Sequence, residues 1–125
     1  IEGESMWHIC LDALEQDLSE TSTVETVLRV LDQLLQTGIP VQEPSVCSLL
    51  HAIESMSNTE TTLDLAILVL GDVLHFIPLT PALATNVIQQ LFNEVYKGAQ
   101  YSQVVTRAIH LWTDFKDNRC FRWNC

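Results

Sequence analysis

The chain is poor in basic residues. Six lysines and arginines stand against sixteen aspartates and glutamates, a net charge of −10 with histidine neutral. A surface so negative repels phosphate at long range, which argues against a broad nucleic-acid footprint. Glycine and proline are also scarce, four of each in 125 residues, and this excludes a collagen-like or low-complexity chain. No stretch reaches the ~18 apolar residues that a membrane span needs. The richest, residues 63–77, is interrupted by Asp64, Asp72 and His75. Apolar–polar alternation never persists long enough to mark a strand.

Chemistry-bearing motifs are missing as well. The chain has no Gly-rich phosphate cradle, no His-Glu-x-x-His, no Cys-x-x-Cys and no nucleophile elbow. His8, His51, His75 and His110 fall on four different helical segments with no pair at i, i+4. Acid pairs such as Asp12 and Glu15 sit at helical spacing on polar faces and read as solvated surface. His110, Cys120 and Cys125 supply three ligands where structural zinc takes four. The expectation is a non-enzymatic protein with no cofactor and no metal. Cys10, Cys47, Cys120 and Cys125 form no dense framework, and there is neither a glycosylation sequon nor a signal peptide. These point to an intracellular setting, cytoplasmic or nuclear. The opening Ile1-Glu2-Gly3, with no initiator methionine, reads as a segment of a longer protein.

What is present is helical. With 47% hydrophobic residues the chain can build a true core. Met6, Trp7, Cys10, Leu11, Leu14 and Leu18 recur at spacings of three and four, one face of a helix over 4–18. Thr23 is placed as the cap of a second helix bearing Val27, Leu28, Leu31, Leu34 and Leu35, stopped by Gly38 and Pro40. Pro44 fits the first turn of a third helix with Val46, Leu49, Leu50, Ile53 and Met56. Thr61 or Thr62 opens a fourth, which Pro78 ends. Thr80-Pro81 caps a fifth, running through Leu83, Val87, Ile88, Leu91, Phe92 and Val95 to Gly98. Val104, Val105, Ala108, Ile109, Trp112 and Phe115 form the apolar face of a sixth.

The fourth of these is apolar nearly all round, so it must be covered on several sides, with Leu68 placed in the core. Gly71 lies in its interior at a cost of ~1 kcal/mol relative to alanine, which implies close approach by a neighbouring helix. Cys10 and Cys47 occupy equivalent positions and are expected as small core side chains.

The helices repeat. The Pro44 and Pro81 helices start 37 residues apart, with Val46 over Leu83, Cys47 over Ala84 and Leu50 over Val87. A shift of 39 lays the second helix on the fourth, Val24 on Leu63 and Leu31 on Leu70. In period and apolar pattern, over nearly the whole helical region, this resembles α-solenoid arrays of the HEAT, armadillo or pentatricopeptide kind. The resemblance implies proteins or extended peptides bound along the groove of the second helices, or single-stranded RNA in the pentatricopeptide variety. The expected fold is all-α: six helices as three stacked antiparallel hairpins, over 4–37, 44–77 and 80–115 of one domain (1–115), followed by a tail, 116–125. A six-helix globular bundle of the death-fold or Bcl-2-like kind is the alternative.

Charge is unevenly placed. Residues 1–96 hold fourteen acids and one base, Arg29, whereas residues 97–125 hold five bases and two acids. Seven of the nine aromatics lie between Phe92 and Trp123. The expected function is a non-catalytic protein–protein interaction scaffold. The acidic hairpins favour a partner with a basic surface or a basic peptide. Contact residues are expected on the second helices (Glu25, Arg29 with Gln33 and Gln36, Asp64 with His75, Arg107 and His110) and in the basic, aromatic end (Lys116, Arg119, Phe121, Arg122, Trp123), a composition typical of binding hot spots. Two alternatives stand: a single-stranded RNA binder that stacks bases on that end, and a homo-oligomerisation domain. Phe121 and Trp123 could also fold back over the last hairpin, as a solenoid end requires.

Overall fold

The fourth apolar run becomes the most extensively buried helix, packed against the second, fifth and sixth. A computed structural model describes residues 2–16, 21–56 and 58–117, with side chains over 5–16, 22–56 and 58–115. The described residues form six helices and no strand: α1 (Glu2–Gln16), α2 (Thr21–Gln36), α3 (Glu43–Ser55), α4 (Glu60–Phe76), α5 (Pro81–Lys97) and α6 (Ser102–Asp117). No helix among them is long and apolar enough to cross a membrane.

Local chemistry explains most boundaries. Pro44 sits in the first turn of α3 and Pro81 begins α5, where a missing N–H costs nothing. The Thr80 hydroxyl accepts from the Leu83 N–H at 3.4 Å. The start of α4 falls earlier than Thr61 because Thr59 caps it reciprocally. The Thr59 hydroxyl accepts from the Thr62 N–H at 3.2 Å, and the Thr62 hydroxyl accepts from the Thr59 N–H at 2.8 Å, a capping box with threonine in the usual glutamate position. After α2 the chain turns at Gly38, whose φ of +81° lies in the left-handed region open to glycine. Thr23 lies inside the first turn of α2 rather than at its cap. Leu18, placed on the first apolar face, lies outside the described residues. Helix α6 continues to Asp117, into the segment expected as tail.

Packing follows a skip-one order. The odd helices adjoin one another, α1 against α3 and α3 against α5, and α4 packs on α2 and α6. Helix α1 also lies on α2, and α5 on α4 and α6. These contacts fit three stacked hairpins or a six-helix bundle, and both descriptions put α4 at the centre. Eleven of its seventeen residues are buried. Gly71 meets α6: a Cβ there would lie 2.7 Å from Leu111 Cδ1, so the glycine admits the leucine tip. The remaining core is drawn from α1 (Trp7, Leu14), α2 (Leu28, Leu31), α3 (Leu49, Ile53) and α5 (Leu83, Val87).

Several positions expected on the buried faces differ, Met6 and Phe92 among them, both of which are exposed. Leu68 is only half-buried because it lines the groove between α4 and α6. Cys47 is exposed while Cys10 is buried, since α3 turns Val46 and Leu49 inward instead. On α6, Val104 is buried, but Val105, Ile109 and Trp112 point outward.

These placements order two substitutions. Ile67→Asp strands a charge at a position with no solvent exposure and should abolish the cooperative melt. Leu68→Asp, on the groove, should leave a folded protein that melts earlier. Circular-dichroism melts check both.

Candidate functional site

Two features could carry function: a polar seam between the even helices and an apolar face on the last hairpin. The seam begins at Asp64, which is buried at 3% exposure. Its carboxylate accepts from Arg107 Nε at 3.0 Å, from Arg107 Nη2 at 3.4 Å and from Gln103 Nε2 at 3.0 Å. An ionised group away from water demands such partners, and here they all come from α6. The guanidinium side is half open, and its pKa is pushed up chiefly by the hydrogen bond to Asp64.

Farther along α4, Asp72 lies within hydrogen-bonding reach of Asp32 on α2. Asp32 is buried and accepts from Gln36 Nε2 at 2.8 Å. Burial first, then the hydrogen bond to Asp32 and repulsion from it, push the Asp72 carboxyl up to about 9 against a downward pull from Arg107. Two carboxyl groups this close require a proton between them. Below that seam a shallow groove of about 240 Å³ runs between α4 and α6, lined by Leu68, His75, Phe76, Arg107, His110 and Phe115. Glu94 on α5 is also buried; it accepts from Gln90 at 3.0 Å and Lys97 at 3.1 Å, and burial raises its pKa.

The apolar face is a consequence of the seam. Val104, Arg107, Ala108 and Leu111 share one side of α6 by helical spacing, and that side meets α4. Val105, Ile109 and Trp112 lie roughly a quarter turn or more around the helix and are left outside. Trp112 is 67% exposed and Ile109 58%; on the adjoining α5, Phe92 is 65% and Tyr96 83% exposed. Nothing among the described residues covers these side chains.

The expected contact residues separate accordingly. Asp64 lies in the interior, between α4 and its partners on α6. Arg107 is committed to Asp64, and His110 is exposed beside it. Glu25 and Arg29 form a loose pair with each other, 4.0 Å apart, on the outer side of α2. The side chain of Lys116, and all of Arg119, Phe121, Arg122 and Trp123, lie outside the described residues, as do Cys120 and Cys125. Of the second-helix stripe, Gln36 holds Asp32 and Gln33 is exposed. The seam at Asp32 and Asp72 and the open faces of Phe92, Tyr96, Ile109 and Trp112 were not foreseen. The concentration of aromatics in the last third was the available signal for the second.

The described residues form an all-α domain with an internal carboxyl seam and with exposed apolar side chains on α5 and α6. Comparison with known proteins adds no family: no family model, curated protein or solved structure matches the chain.

The seam implies a pH dependence. The Asp72 carboxyl titrates near its ordinary 3.8 when unfolded and near about 9 when folded, so between these values the native state binds the extra proton. Its stabilisation is complete below the lower value and is lost as pH rises through the upper one. Thermal melts should therefore fall as pH rises from neutral to alkaline, and Asp72→Asn should flatten that fall. An unchanged slope would contradict the shared proton.

Proposed function

We propose that this domain is a non-catalytic protein–protein interaction module, acting in an intracellular setting, whose main contact face is the outer side of α5 and α6. The observation that supports it is the exposure of Phe92 and Tyr96 on α5 and of Ile109 and Trp112 on α6, two consecutive helices that touch. Single exposed apolar residues are ordinary, but aromatics and branched side chains gathered on adjoining helices resemble the centre of an interface. Tryptophan and tyrosine also dominate binding energy where they are buried by a partner. The mechanism is rigid presentation. The packed helices hold these side chains at fixed spacing, so little is lost in ordering them on contact. Acids exposed on the earlier helices, Asp12, Glu15 and Glu54 among them, steer approaching basic surfaces and raise encounter rates more than final affinity.

The test is affinity capture from cell extract with the wild-type chain and with Ile109→Ser/Trp112→Ser. Both positions are exposed, so the double variant should keep its melt. Proteins recovered with the wild type should be lost from the variant. Undiminished recovery would remove the reading.

A further inference from the structure

We infer that the exposed face of α5 and α6 is the contact between two copies of this chain. The inference rests on the interaction reading above and names its partner.

Charge distribution selects the second copy. Residues 1–80 carry thirteen acids against Arg29 alone, whereas residues 81–117 hold three bases (Lys97, Arg107, Lys116) and three acids (Glu94, Asp114, Asp117). The last hairpin is thus electrically neutral on a chain of net −10. A basic partner would be drawn to the first four helices. The neutral face has no such pull and is where a second, equally acidic body meets the least repulsion.

The composition of the face fits self-contact too. A two-fold interface sets each patch against its own copy, so any excess of one charge would meet itself. Here the positions between the exposed apolar side chains are Gln89 and Asn93 on α5 and Thr106 and Thr113 on α6, uncharged groups that can donate or accept across the axis. Of the charged side chains described on this hairpin, Arg107 is committed to Asp64, Glu94 is buried and paired with Lys97, and Asp114 lines the groove against α4. What remains outward is Val105, Ile109 and Trp112 beside Phe92 and Tyr96, an apolar centre with a neutral polar surround.

The full chain is examined by analytical ultracentrifugation over a roughly hundred-fold concentration range. A monomer–dimer equilibrium is expected. It should tighten between ~0.1 M and ~0.5 M salt, because salt screens repulsion between the two acidic bodies and leaves apolar contact intact. Ile109→Ser/Trp112→Ser should weaken it at least roughly a hundred-fold, since each substitution enters a two-fold interface twice. If that variant melts early, Tyr96→Ser on α5 provides a second, independent probe of the face.

A chain that stays monomeric at every concentration and salt overturns the inference. So does association that weakens with salt, which would signal the acidic helices of one copy meeting the basic end of another. A dimer indifferent to both variants places the contact elsewhere and overturns it as well. The extract experiment separates the two levels. A monomer whose captured proteins still depend on Ile109 and Trp112 removes the second copy and keeps the interaction module. A monomer whose captured proteins ignore both residues removes both.

Discussion

A carboxylate inside a helical core has to be met by a cation, a proton or other hydrogen-bond donors. Asp64 is buried on the central helix, and the groups that answer it, Arg107 and Gln103, both stand on α6. The pair need not contribute net stability; apolar side chains of similar volume can do as well or better. Its effect is on orientation. By bringing Arg107 inward, it selects which of two apolar arcs of α6 joins the core. Val104 and Leu111 go in with it, and Val105, Ile109 and Trp112 stay out. The exposed side of α6 on which the proposed function depends follows from where one acid lies on α4.

The second constraint is that α4 is extensively buried, packed against α2, α5 and α6. Covering it on several sides leaves little room for charge, yet the chain places acids at its seams: Asp64 and Asp72 on α4, Asp32 on α2 and Glu94 on α5. Each is accommodated differently, by a guanidinium, by a shared proton, or by an amide with a partly exposed lysine. A formal −10 therefore overstates the negative surface near neutral pH, because the Asp72 carboxyl stays protonated there. That moderates repulsion between copies without removing the bias toward the neutral hairpin.

Much of this was legible in the residues. The six helices, the prolines at the starts of α3 and α5, the Thr80 cap and the close approach at Gly71 all rest on local rules: spacing, capping and the missing Cβ. The site was legible only as a tendency, the drift of aromatics toward the end of the chain. Periodicity assigned Val105, Ile109 and Trp112 to the buried side because α6 has apolar residues over a wide arc. Nothing local says that Asp64, some forty residues earlier, will claim the opposite edge. The same reason covers Leu68 and Cys47. Each fits an apolar pattern, and each is placed by the neighbour that does or does not arrive. Thr59 escaped notice because a threonine in the fourth position of a capping box is chemically sufficient but unusual.

The lock between Asp64 and Arg107 is tested most directly by a double-mutant cycle on Asp64→Leu and Arg107→Leu, read as unfolding free energy in denaturant. Arg107→Leu alone leaves a buried carboxylate unanswered and should cost ~3 kcal/mol, and the double variant should recover most of that loss. Additive effects of the two substitutions, within ~0.5 kcal/mol, would show that the residues act independently and would contradict the claim that this pair sets the roll of α6.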